Sequence, residues 1–291
     1  MLSRMQLKRA VKFGAGSAAV VASRFTQTEQ DVGCILTYHR VADVGLSDPS
    51  NDDWNVTPRN FERQVRGLLD FAEIVPLTEL YARCRKGGER KPLVALTFDD
   101  GYANFHSQVL PILKRYGVPA TLFVVTGLIG RSSPPPFDTW SMKNWSAVAP
   151  EAWRSLGWSE LEECVHSGLV ELGGHSHLHL KATECSPAML VEEAGRSRDI
   201  LSARFGDILP FAYPYGCTRL GYVPAAYVEA VEAAGYDLAV TYDLGRVTAR
   251  TDRYRVPRLE AHGLDGPAIM RAKVHGSLLP YRFTDRLRRP Q

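Results

Sequence analysis

Two stretches of this 291-residue chain carry side chains whose types and spacing suit chemistry. In the first, residues 97–102 read TFDDGY, an apolar run ending in Asp99 and Asp100 and followed by Gly101. Adjacent carboxylates at a strand end point in different directions, so one can ligate a metal while its neighbour acts as a base on the water that the metal activates. Alone, such a run reads as a turn. The second stretch weighs against that reading: GGHSHLH places His175, His177 and His179 within five positions, directly after the strand-like VEL. In an extended segment residues i and i+4 share a face, so two histidines and one carboxylate make a site with open coordination positions. That donor set suits zinc or another divalent metal that activates water.

A scaffold must bring these stretches together. With 45% hydrophobic and 23% charged residues the composition is that of a globular chain, which excludes a disordered or fibrous one, and no internal repeat appears. Short apolar runs at 34–38, 94–98, 121–125, 170–172, 211–213, 238–242 and 254–259 read as strands. Segments of helical period lie between them at 58–71, 104–116, 159–166, 187–205 and 224–234. Thr57 before Pro58 and Ser186 before Pro187 are helix starts, and Leu190, Val191, Ala194, Ile200, Leu201 and Phe205 give one long helix an apolar stripe. Alternating strands and helices predict a parallel sheet, and seven strands can close a barrel.

Residues 131–158 break the pattern, with three consecutive prolines and four of the five tryptophans. No helix or strand is predicted there. A long insertion in a compact domain is usually a functional loop. Its tryptophans either stack on a sugar ring or pin the loop down by packing.

Charge sits at the ends. The net charge of +3 is too small to indicate a nucleic-acid partner. Arg4, Lys8, Arg9, Lys12 and Arg24 open the chain without an acid, and Arg282, Arg286, Arg288 and Arg289 close it against Asp285 alone, leaving 26 bases and 31 acids between them. The expected organisation is a basic segment at 1–30, one catalytic domain at 31–280 and a basic tail at 281–291. The first segment is read as amphipathic, making peripheral contact with an anionic membrane in preference to acting as a cleaved signal. Five scattered cysteines without a CxxC pair fit a reducing compartment, so the expected location is the cytoplasm or the cytoplasmic membrane face, with export a weaker alternative.

TFDDGY and HSHLH together resemble the first two motifs of the polysaccharide deacetylases, carbohydrate esterase family four, also called the NodB homology domain. YHRV at Tyr38, NVTP at Asn55, ATLFVV from Ala120, WSEL from Trp158 and FAYPYG from Phe211 extend the resemblance over roughly residues 33 to 260. It implies an α/β fold, a distorted (β/α) barrel of about seven parallel strands in a single domain. The implied activity is metal-dependent hydrolysis of N-acetyl groups from an amino-sugar-containing polysaccharide or glycoconjugate, with zinc as the expected cofactor. The partner is then an N-acetylated saccharide.

By motif, the resemblance implies Asp99 as general base and Asp100, His175 and His179 as metal ligands. Ser176 matches a fixed position, whereas His177 falls on a free one and is expected to support the site or face solvent. The third motif ordinarily reads Arg-x-Pro-aromatic-Gly, but Ala212 stands in the arginine's place. Since that arginine orients the catalytic aspartate, another group must do so or catalysis is weakened; Arg258 in VPRLE is the candidate substitute. Pro214 and Tyr215 match, implying that the Tyr215 backbone N–H helps hold an oxyanion. The family's fourth motif has no counterpart here. Its late Leu-x-His strand has none after residue 240, and the poly-N-acetylglucosamine deacetylase type moves that histidine to the N-terminal strand by circular permutation. CILTYH ends such a strand at His39, which makes His39 the candidate general acid ahead of His262 and His275. Two rivals stand beside this reading: a saccharide-binding relative whose catalysis is weakened, and a metal-dependent hydrolase of another small amide.

Overall fold

The computed structural model of the protein describes residues 32–45 and 54–277; the readings made for 1–30 and 281–291 lie outside the described residues. In chain order the described strands are β1 (Gly33–Tyr38), β2 (Arg40–Val41), β3 (Asn55–Val56), β4 (Glu73–Ile74), β5 (Leu93–Phe98), β6 (Ala120–Val124), β7 (Val170–Gly174), β8 (Pro210–Ala212), β9 (Leu238–Leu244) and β10 (Val256–Glu260). The helices are α1 (Pro58–Leu69), α2 (Leu77–Lys86), α3 (Leu110–Tyr116), α4 (Thr139–Asn144), α5 (Trp158–His166), α6 (Pro187–Phe205), α7 (Ala225–Ala233) and α8 (Pro267–Val274).

Seven of the strands close a barrel in the order β1-β10-β9-β8-β7-β6-β5, with β5 pairing back onto β1 and every pairing parallel. The expected barrel in a single domain is therefore what forms. β4 adds to the start of β5, and β2 with β3 makes a separate two-stranded ribbon. All-parallel strands covered by helices are buried on both faces, which is why they read as continuous apolar runs. Ile35, Ala95, Phe123, Ala212, Val240 and Val256 share one buried cluster with Leu77, Leu80, Tyr81 and Cys84 of α2. α2 packs against the start of β1 so closely that a Cβ on Gly33 would lie 2.6 Å from the Leu80 side chain.

Register sets the positions of the chemical groups. β1 and β5 run level from Gly33↔Leu93 to Tyr38↔Phe98, so His39 and Asp99 emerge side by side from neighbouring strands. β6 and β7 pair through Val124↔Gly174, which delivers His175 at the same end of the barrel.

Two expectations need correction. The helix predicted over 104–116 begins as a π-turn at Phe105–Val109 before α3. Pro111 has no N–H to donate to residue 107, and the chain takes the wider turn. The 131–158 segment is not structureless: it contains α4 and a 3₁₀ turn at Pro150–Ala152. Asp138 caps α4 by accepting from the Ser141 N–H at 2.9 Å, an N-cap signal hidden by the prolines before it.

Candidate active site

A cleft of about 490 Å³ opens at the C-terminal ends of the barrel strands. It brings together His39 after β1, Asp99 and Asp100 after β5, His175 and His179 after β7, and Tyr215 after β8. Loops at this end of a parallel barrel are where side chains from different strands converge.

The local backbone is strained where it matters. Among the described residues, the non-glycine positions with positive φ are Asp100 (72°), Ser176 (62°), His179 (60°) and Tyr215 (59°). Each costs on the order of 1–3 kcal/mol and persists where surrounding structure demands it. Three of the four are candidate site residues. The fourth, Ser176, accepts the His179 N–H through its hydroxyl at 2.9 Å and so holds the second histidine in its left-handed turn. Gly101 follows Asp100 at φ 71°, and a Cβ there would press on Val124 at 3.1 Å.

Asp100 Oδ1 lies 3.4 Å from His175 Nε2 and 3.5 Å from His179 Nε2, and all three residues are buried. These spacings are long for hydrogen bonds, whereas donor atoms sharing a tetrahedral ion at about 2.0–2.1 Å lie roughly 3.3–3.4 Å apart. One potential ligand atom from each residue falls within a common 4.8 Å. His175 donates through Nδ1 to the Ala212 carbonyl at 2.7 Å, which leaves its Nε2 lone pair facing Asp100. The donor set thus fits a divalent metal. His177 does not join it: its Nδ1 pairs with the Thr126 hydroxyl at 2.9 Å, and its carbonyl accepts from Gly127 N–H at 2.8 Å, tying the histidine loop to the end of β6.

Asp99 faces a different partner. Arg258, on β10, donates from Nη1 to Asp99 Oδ1 at 2.8 Å and from Nη2 to Oδ2 at 2.7 Å. It is itself held by the Thr241 carbonyl at 3.0 Å and the Thr97 hydroxyl at 3.2 Å. This two-point clamp supplies from β10 the guanidinium that Ala212 on β8 cannot. Burial pushes the Asp99 carboxyl up, but the Arg258 charge and its hydrogen bonds, with His175 and His39 nearby, together outweigh it and hold Asp99 below the ordinary carboxylate value.

His39 lines the same cleft, with its ring edge-on to Trp54 at 4.6 Å and to Tyr242 at 6.3 Å. Burial lowers its pKa against the opposing pull of Asp100 and Asp99. Neither alternative acid lines the cleft: His262 sits 3.5 Å from Glu260, and His275 stacks on Phe71 at 5.6 Å. Trp54, Tyr242 and Arg40 are cleft residues that sequence reading missed. Trp54 stands outside the tryptophan-rich segment, and Arg40 follows His39 directly in YHRV, which was the available signal.

The two histidines differ in proton affinity. Burial pushes both down, but in His175 the Asp100 carboxylate, which faces Nε2 and accepts its proton when the ring is charged, together with the charges of Asp99 and Asp100 overcomes it and raises the pKa above 6.5. His179 is pushed down to about 3 by burial and by the charge of His175. Between about pH 3 and 6.5 the metal-free site therefore holds a proton on His175 and none on His179. Metal uptake at about pH 6 should release about one proton, and the release should fade as pH rises through the His175 value. Calorimetric titration of metal-free protein in buffers of different ionisation enthalpy measures this; release of about two protons would show that His179 is protonated as well.

A profile of the polysaccharide deacetylase family matches residues 86–239. The poly-beta-1,6-N-acetyl-D-glucosamine N-deacetylase of Staphylococcus aureus is 27% identical over 243 residues, covering 77% of each chain. The protein of that name from Staphylococcus epidermidis is 26% identical over 253 residues, covering 79% of each. Among solved structures, the Streptococcus pyogenes deacetylase PplD in complex with acetate superposes with a TM-score of 0.68 at 22% identity, over 84% of this chain and 98% of that one. IcaB from Ammonifex degensii does so with 0.66 at 22% identity, over 84% and 97%. The structural likenesses carry the barrel fold, and the matched profile carries the family: the chain belongs to the polysaccharide deacetylases, hydrolases that remove acetyl groups from the nitrogen of amino-sugar units in polysaccharide.

Proposed function

We propose that this chain deacetylates a β-1,6-linked poly-N-acetylglucosamine or a close chemical relative, with zinc as the resident metal, by a single displacement without a covalent enzyme intermediate. The name of the staphylococcal relatives supports the substrate. The observation that carries the catalytic part is the Arg258 clamp on Asp99 beside the Asp100–His175–His179 donor set. One carboxylate is dedicated to a guanidinium and its neighbour to two imidazoles.

Asp100, His175 and His179 would hold the metal, which when bound supplies a Lewis acid for the acetamido carbonyl and an acidified water near neutral pH. Asp99 accepts the proton of the attacking water, with its carboxylate orientation fixed by Arg258. The water oxygen adds to the carbonyl carbon, and the Tyr215 backbone N–H stabilises the charge that develops on the carbonyl oxygen. As the C–N bond breaks, His39 donates a proton to the nitrogen, releasing acetate and a free amine.

The Arg258 clamp argues against the weakened-relative reading, whose ground was the missing motif-three arginine. The cleft's volume and aromatic lining suit a saccharide better than a small amide in a closed pocket. The basic stretch at 1–30 supports peripheral contact with an anionic membrane, and five cysteines without a CxxC pair support a cytoplasmic location.

Acetate release from poly-N-acetylglucosamine, chitin oligomers, peptidoglycan fragments and lipid-linked sugars, each with and without chelator, tests the proposal. Chelator-sensitive release, fastest on the β-1,6 polymer, is expected; release unaffected by metal removal, or none from any of these, would overturn it. His39→Ala should retain metal, turn over about 10²–10⁴-fold more slowly and lose the high-pH limb of its pH–rate profile, which reports the acid. Near-normal turnover would pass the role to His262 or His275.

A further inference from the structure

The proposed mechanism leaves the 131–158 segment and its tryptophans unused. A buried ion pair helps fasten this segment to the barrel. Arg40, 2% exposed, donates through Nη2 to Asp138 and to the Ser141 hydroxyl at 2.8 Å, and through Nε to the Ala152 carbonyl. Its guanidinium lies over the rings of Trp140 at 4.4 Å and Tyr102 at 4.9 Å. Asp138 also accepts from the Tyr102 hydroxyl at 2.7 Å. Tyr102 belongs to TFDDGY, and the backbone on either side of it bonds the far end of the segment, Leu156 N–H to Gly101 carbonyl and Ala103 N–H to Arg154 carbonyl, both at 2.9 Å.

What the pair holds in place is cleft wall. Phe137, Thr139 and Trp140 line the same cleft as Asp99 and Asp100, and the Phe137 ring stacks on His179 at 3.8 Å. On the outside of α4, Met142 and Trp145 are 54% and 52% exposed. A buried ion pair contributes little net stability compared with apolar packing; its best-attested use is to select one arrangement. Aromatic rings fixed beside a reacting centre offer stacking faces to pyranose rings on either side of the unit being deacetylated.

We propose that Arg40 and Asp138 are positioning residues for chain-length selectivity: their ion pair sets the 131–158 segment as a cleft wall that binds sugar units flanking the reacting one. The proposal rests on the saccharide reading above. Arg40 and Asp138 act through Phe137 and Trp140, so their loss weakens binding of long substrates more than of short ones.

The test combines two readouts on the full chain. Hydrogen exchange over residues 131–158, and kcat and KM on acetylated oligomers of increasing length, are measured for wild type, Arg40→Lys and the double variant Arg40→Met with Asp138→Leu. The double variant removes both charges, so it remains informative where a single change would strand the other. In both variants exchange across the segment should quicken and KM for long oligomers should rise about 10-fold, while the loss shrinks as the oligomer shortens and metal content is retained. An equal loss of kcat/KM at every length would overturn the length-selective role. Unchanged exchange in both variants would overturn the fastening itself. If the wild type deacetylates no N-acetylated oligomer, the substrate reading has failed, and the exchange measurement still decides whether the pair holds the segment.

Discussion

Asp99→Asn is expected to lower kcat by about 10²–10⁴-fold while the protein still binds substrate, because the amide keeps the carboxylate's shape and cannot take a proton from water. The size of the effect follows from how completely the structure commits this group. Its carboxylate is buried, is clamped at both oxygens by Arg258 and stays ionised below the ordinary carboxylate value. A steady-state assay of acetate release measures it, and turnover near that of the wild type would remove Asp99 from the reaction.

Arg258→Met should produce the largest loss of stability of any change at the site. It strands the buried Asp99 carboxylate without its counter-charge, and breaking one side of a buried ion pair costs about 3–5 kcal/mol. The Thr241 carbonyl and Thr97 hydroxyl lose their shared donor as well. Denaturant unfolding should show a lower midpoint, and Asp99→Asn in the same chain should restore part of the loss by removing the stranded charge. Turnover should fall with it, since the carboxylate is no longer oriented. In Arg258→Lys the charge remains without the two-point geometry, so stability should recover further than turnover does. If Arg258→Met unfolds like the wild type and turns over normally, the substitution of Arg258 for the missing arginine at position 212 is wrong.

The barrel was legible because parallel strands buried on both sides leave short, strongly apolar runs, and all seven were placed to within two residues or so at their ends. α2 was not legible. Its apolar residues pack against inward-facing residues of the barrel, and its first turn is capped from a distant strand: Glu171 on β7 accepts from the Leu77 N–H at 3.0 Å and the Thr78 N–H at 3.4 Å. Pro267 opens α8, where a Cβ on Gly67 would touch it at 3.0 Å, so the pairing of α8 with α1 is likewise a tertiary fact. At the site, Asp99, Asp100, His175 and His179 stood out because each cluster is local. Arg40 and Asp138 did not, since they meet across 98 positions of sequence and only the fold makes them a pair. Arg258 could be named as a possible orienter only because the resemblance left the third motif's arginine missing at Ala212, and its two-point contact depends on β10 entering the barrel beside β1.

The division of labour between two adjacent aspartates is the centre of this account, and metal affinity separates them most directly. Calorimetric titration of zinc into metal-free wild type, Asp99→Asn and Asp100→Asn should give one site of similar affinity in the first two, because Asp99 faces Arg258 and not the histidines. Asp100→Asn should bind far more weakly, having lost the carboxylate that faces both imidazoles. Equal affinity in both variants, or loss of zinc from Asp99→Asn alone, would contradict the assignment of base and ligand.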